Sequence, residues 1–284
     1  GGGLFLLQTN VGTISSDVFE GNTAEGYGGG LALTSSAIGT IRGGRFRGNR
    51  MINATGPCRG AGLALREETT VGVVDGNSFS GNSGLQGGGV HCSGSKMQSL
   101  SHNHFTRNSA LAGEYVSVAD GRPVCSRALG GGVYMDTCQL SLASNNTFDN
   151  NTAERQGGGM FAVSSQVGVI SSSSFVANMG GGVYMEDSNL SEVSKCLFAD
   201  NFPSDDQEVV SLSGQAANTS DLGVTAKCTR RGCLKDTYGL RDDSDTCETE
   251  NVGSGPHLFV LVPIESGGGL GLVNSEVDAV KGCT

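Results

Sequence analysis

The residues with most chemistry to offer are nine cysteines: Cys58, Cys92, Cys125, Cys138, Cys196, Cys228, Cys233, Cys247 and Cys283. Spread along 284 residues, they suit disulfides in an oxidising compartment, and the odd count leaves one thiol over. Cys228 and Cys233 have the spacing of half a zinc site, but no second Cys/His pair follows at metal spacing, so a disulfide is favoured. His102 and His104 flank Asn103 with no adjacent carboxylate and read as surface polar residues. The acidic run of Asp242, Asp243 and Asp245 lacks the glycine and terminal glutamate of a calcium loop. Five N-glycosylation sequons begin at Asn53, Asn145, Asn150, Asn189 and Asn218. No nucleophile elbow or phosphate loop is present, and no carboxylate pair recurs as acid–base work on a glycosidic bond requires. The expectation is a chain with no catalytic, cofactor or metal residues.

Charge narrows the partners. Asp and Glu number 28 against 18 Lys and Arg, a net charge of −10, whereas a nucleic-acid binder needs a basic surface to displace counterions. No apolar run approaches the ~20 residues of a spanning helix. Neither nucleic acid nor direct membrane insertion is expected.

What positions these residues is a repeat. Glycine triplets followed by an aliphatic residue end at Gly3, Gly30, Gly89, Gly132, Gly159, Gly182 and Gly269, with Gly60-Ala61-Gly62 as a variant. Phe-x-x-Asn recurs at Phe19/Asn22, Phe46/Asn49, Phe79/Asn82, Phe105/Asn108, Phe148/Asn151, Phe175/Asn178 and Phe198/Asn201. The last glycine precedes the phenylalanine by 16 residues in six copies and by 17 in the third, whose extra residue falls within 66–70. Counted from that glycine, apolar residues hold positions +1, +3, +8, +11 and +16, as in Leu31, Leu33, Ile38, Ile41 and Phe46.

The +1/+3 step has period two, which is a short strand, and no helical period appears. Asparagine at one position in every copy predicts stacked turns in which each amide bonds to the next, and the glycines permit a tight corner. A unit this small cannot bury its apolar face alone, but stacked units bury a continuous core. The predicted fold is an all-β, right-handed parallel β-helix of about seven complete coils plus a truncated eighth. Residues 1–201 form the seven coils. Residues 202–266 are a Cys-containing insertion at the variable corner, or else degenerate coils. Residues 267–284 start the next coil, which is expected to continue beyond the segment.

The Phe-x-x-Asn motif with a downstream Gly-Gly-x-aliphatic motif resembles the repeats of polymorphic outer membrane proteins. It is clearest from Phe19-Glu20-Gly21-Asn22 to Gly28-Gly29-Gly30-Leu31, and from Phe148-Asp149-Asn150-Asn151 to Gly157-Gly158-Gly159-Met160. The resemblance covers residues 1–201 and 267–284. It implies a β-helical surface passenger associated with adhesion, although this chain has glycine where that family often has alanine and carries no transporter barrel.

Length variation concentrates between each Asn and the next triplet, so insertions project from one edge, where binding is often found. Cys58 and Cys125 both lie in that corner and form one candidate disulfide. Cys196 and Cys283 share position +14 and form another, with Cys228, Cys233 and Cys247 inside the insertion. Cys92, at an inward position, reads as a small apolar core residue. Position +2 points outward by alternation, so Tyr134, Phe161 and Tyr184 are expected as an exposed aromatic ladder able to stack on a ligand. The functional expectation is a non-enzymatic extracellular or cell-surface structural or adhesive protein. Its partners are other segments of the same large protein or filament subunits, and glycans, with no cofactor. The alternatives are a carbohydrate-active β-helix enzyme, a polysaccharide lyase or hydrolase, and a glycan-binding receptor-like module.

Overall fold

The computed structural model describes residues 1–52, 59–111, 114–116, 123–125, 128–202, 270–273 and 276–281. Each coil contributes one strand to each of up to four parallel sheets. The first sheet has eight strands, from Leu4–Leu7 to Leu270–Val273, and the second has eight, from Asn10–Ser15 to Glu276–Lys281. The third has seven strands, from Val18–Glu20 to Leu197–Ala199, and the fourth has five two-residue strands, from Thr23–Ala24 to Thr152–Ala153. Every partner in these sheets is the equivalent strand of the neighbouring coil, so like residues stack on like: Leu31 on Leu63, Ile38 on Val71, Phe46 on Phe79. This is a parallel β-helix. Among the described residues one antiparallel pair, Glu114–Val116 with Pro123–Cys125, lies in the segment between the fourth and fifth coils.

The core is the set of columns the repeat defines. Positions +1, +3, +8, +11 and +16 of the second to seventh coils are buried, apart from Phe198, which is half-buried. The phenylalanines form one continuous file, with ring centroids 4.6–5.0 Å apart from Phe19 to Phe198 and nearly parallel planes in the middle of the stack. That is the spacing of parallel strands, so each ring sits on the next without tilting the coil. The third coil's extra residue is absorbed in a turn. Glu67 and Glu68 both have positive φ (52° and 63°), where the second coil has one such residue, Ser35.

Buried polar groups in the corners are satisfied by ladders. Asn82 shows the pattern: its Oδ1 accepts from the backbone N–H and Nδ2 of Asn49 (3.1 and 2.9 Å), while its Nδ2 donates to Phe46 O and Asn108 Oδ1 (2.8 and 2.9 Å). The file runs from Asn22 to Asn201, as the repeat predicted. A second amide file at +14 joins Asn77, Asn103 and Asn146 and ends on Ser173 Oγ. A third, of hydroxyls at the first corner, includes Ser36, Thr69, Ser165 and Ser188. A buried amide left unpaired is costly, and here almost every donor and acceptor is used.

The strand Val183–Glu186 pairs directly with Leu270–Val273, and Asn189–Ser194 with Glu276–Lys281. Residues 203–269 lie outside the described residues. Resumption of the columns after Gly269 therefore corresponds to strands that rejoin the same sheets.

Candidate functional site

Two outer faces are candidates for function: the outside of the first sheet, which carries the aromatic ladder, and the outside of the second sheet. The ladder exists. His91, Tyr134, Phe161 and Tyr184 stack in order with centroids 5.3–5.5 Å apart and interplanar angles of 12° or less. Its exposure does not. Tyr134, Phe161 and Tyr184 are 4, 1 and 8% exposed and pack with Leu129 in a second apolar cluster. The reason lies in the corner before each strand. The first glycine of the motif, at Gly28, Gly60, Gly87, Gly130, Gly157 and Gly180, has a positive φ, and the turn it makes folds the preceding segment back over the strand it introduces. At Gly60 (φ +67°) a Cβ would meet the Cβ atoms of Ala64 and His91 at 2.8 Å. The preceding residues Tyr27, Arg59, Gln86, Leu129 and Gln156 bridge from coil to coil as an outer rail. Alternation sends the +2 side chains outward as read, but outward here means beneath this rail, and the expected ligand-stacking surface is an interior layer.

The second sheet presents an open groove. Its inward positions, +8 and +11, are three residues apart, so each strand must bend between them. Pairing skips Ser141, Gly168 and Ser191, the residues at the bend. Stacked bends make a groove of about 450 Å³ over the fifth to seventh coils, lined by Gln139, Gln166 and Asn189, by the three bend residues, and by Leu140, Val167 and Leu190 between them. Gln139, Gln166 and Asn189 are exposed. The lining is uncharged and mixes amides and hydroxyls with aliphatic side chains, repeating at the strand spacing. Its donors and acceptors fit a chain of hydroxyl groups better than a charged or aromatic ligand.

The histidines flank a ladder residue. Asn103 is buried in the second amide file, while His102 turns out so that its Nδ1 lies 2.9 Å from Asp75 Oδ1. Ser101 Oγ donates to the same oxygen at 2.8 Å. The Ser101 hydrogen bond, then that of His102, hold the Asp75 carboxyl below its ordinary range. Among the described residues no group of three or more His, Cys, Asp or Glu side chains could hold a metal. No helix among the described residues is long and apolar enough to cross a membrane.

Of the sequon asparagines, Asn145 and Asn150 are exposed on left-handed turns, and Asn189 is exposed at the groove. Asn53 and Asn218 lie outside the described residues, as do Cys58, Cys228, Cys233, Cys247, Cys283 and the run from Asp242 to Asp245. Cys125 belongs to the antiparallel pair between the fourth and fifth coils. Cys196 is buried at +14, with Sγ 3.6 Å from Ile170 O, where other coils place an amide donor.

The disulfide among the described residues was not among the sequence candidates: Cys92 pairs with Cys138. Cys92 is buried as read, but as half of a bridge rather than a lone apolar side chain. Its partner takes the corner-hydroxyl position of the next coil, and the Cα atoms are 6.3 Å apart. Two cysteines in different columns hide this pairing from a column-by-column reading. The signal was that +3 and the corner position both face inward on adjacent coils. The bridge spans 46 residues, and its loss should lower unfolding stability by about 4 kcal/mol on the chain-entropy argument. Denaturant midpoints of the native protein and of Cys92→Ala/Cys138→Ser measure this, and coincident midpoints would remove the bridge from the stabilising set.

The model of the family described as "Right handed beta helix region" matches residues 57–222. No curated protein matches the chain.

Proposed function

From a chain that belongs to the right-handed β-helix family, we propose a non-enzymatic extracellular or cell-surface solenoid with a structural and adhesive role. The resemblance of its repeats to those of polymorphic outer membrane proteins points the same way. The observation that carries the reading is the groove of the second sheet. Gln139, Gln166 and Asn189 offer exposed amides at one position of successive coils, in the same groove as the hydroxyls of Ser141 and Ser191. A neutral polysaccharide lying along the solenoid meets a repeating set of donors and acceptors there, without the loss of entropy that a flexible surface would incur. The core disulfide supports an oxidising compartment. In a eukaryotic secretory route, the exposed Asn145 and Asn150 would carry glycans on a face away from the core.

The test is a glycan array probed with the native protein and with Gln139→Ala/Gln166→Ala. Exposed amides removed from the groove should weaken binding to neutral oligosaccharides by about tenfold, or 1.4 kcal/mol. Equal binding by the two proteins overturns the groove as the adhesive face, and release of shortened sugar products overturns the non-enzymatic reading.

A further inference from the structure

Four polar side-chain atoms are buried without a hydrogen-bond partner among the described residues: Arg59 Nε, Gln86 Oε1 and both ring nitrogens of His91. They occur together. Arg59 and Gln86 face each other as a bridge between successive corner segments, and Gly60, next to Arg59, lies against His91 Cβ. His91 is fully buried on the strand Val90–Ser93, with Tyr134 of the next coil stacked 5.3 Å away and Tyr27 tilted 6.5 Å away. In the two preceding coils the equivalent positions are Ala32 and Ala64, so the ring file is interrupted there. The Tyr27 ring is covered by the Arg66 guanidinium at 3.4 Å.

Two arginines and one carboxylate stand around this cluster. Arg59 from the corner and Arg66 from the neighbouring strand Leu63–Arg66 both act on His91. The carboxylate beside Arg66, Glu67, is drawn to its Nη2 at 2.6 Å with its own side chain 56% exposed. Burial first, then Arg59 and Arg66, hold the His91 imidazole well below its usual range, so the ring is neutral at pH 7. Beside two arginines, these buried donors and this acceptor are left without a partner from the described residues, and such groups call for one.

We propose that Arg59, Arg66 and His91 form an oxyanion-binding site, which takes a carboxylate or sulfate group. Arg59 Nε–H and one His91 N–H donate to the anion. The anion draws a proton onto His91, and the second ring N–H then donates to Gln86 Oε1. One oxyanion and one proton thus satisfy all four orphaned atoms. Because binding takes up a proton, affinity rises as pH falls from the bound-state pKa of His91 towards its free-state value, which lies well below the usual imidazole range. The site is independent of the adhesive groove, which lies on another sheet.

Histidine-ring NMR of the native protein tests this, with sodium sulfate and sodium acetate titrated separately at constant ionic strength against sodium chloride. The expected result is a saturable shift of the His91 ring signals, while those of His102 and His104 stay at their chloride values. The pKa of His91 should rise by about one unit or more, a tenfold change in proton affinity. Arg59→Gln should abolish both effects while keeping the native strand signals, and Arg66→Gln should weaken them. Gln139→Ala/Gln166→Ala should leave them intact, so that failure here and failure of the groove are read separately. A response to either oxyanion supports the site and identifies the group it prefers. A His91 ring indifferent to both in the folded protein, or equally responsive in folded Arg59→Gln, overturns it.

Discussion

Asn108→Ala should lower the stability of the solenoid by about 4–5 kcal/mol, near the upper end of what one substitution does. The side chain makes four hydrogen bonds. Its Oδ1 accepts from Asn82 N–H and Asn82 Nδ2, and its Nδ2 donates to Phe79 O and Asn151 Oδ1, at 2.9–3.1 Å. The residue is fully buried, so water cannot replace these partners without opening the corner. Each orphaned group costs about 1–3 kcal/mol, and the total is less than additive because the coil relaxes. Asn108→Asp should be worse still near neutral pH. The carboxylate can accept the two Asn82 donors, but it brings a buried charge against Phe79 O and Asn151 Oδ1. Chemical denaturation of the two variants measures the order, and a cost below about 1 kcal/mol for the alanine would show the ladder to be ornamental.

Gly89→Ala should be comparably damaging for a different reason, with a loss of about 4 kcal/mol or more, or failure to fold. The backbone there is not left-handed, so conformational strain is not the issue. A Cβ would lie 2.6 Å from Gly132 O, a backbone atom of the next coil, and 3.0 Å from Phe105 Cδ1. The carbonyl cannot retreat without breaking its own bond: Gly132 O accepts from Val90 N–H at 2.9 Å. The coils would have to part, and strand pairing over the full width of the sheet resists that. Thermal unfolding alongside Gly94→Ala provides the contrast. Gly94 has a positive φ of 56° but open space around its Cβ position. It should therefore cost only about 1 kcal/mol of backbone strain. Equal losses at the two sites would remove the close approach of coils as the reason for the glycine columns.

The fold was legible because its determinants recur. One Phe-x-x-Asn says little, but seven at a fixed distance from a glycine corner leave few architectures, and Phe46, Phe79 and Phe105 stack as that spacing demands. The Asn49–Asn82 amide bond was likewise implied by position alone. The second amide file was half visible. Position +14 is asparagine only at Asn77, Asn103 and Asn146, and is Asp17, Gly44, Ser173 or Cys196 elsewhere, so no constant residue type marks the file. What the sequence could not convey was layering. Tyr134 and Phe161 point away from the core as alternation requires, yet the corner segment ending at Gly130 or Gly157 folds over them. That return path depends on the sign of one backbone angle, which apolar periodicity does not encode. The groove at Gln139 and Gln166 was hidden for a related reason, since polar residues on a strand's outer side are unremarkable until a bend makes their face concave.

The bridge from Cys92 to Cys138 bears on how such a tower responds to mechanical load. Its inter-coil hydrogen bonds run along the long axis, so a pull at one end is met by a single rung at a time, and the coils peel off in sequence. A covalent rivet between the fourth and fifth coils stops that peeling partway, from whichever end it begins, and keeps the remaining rungs in register to zip up again when tension is released.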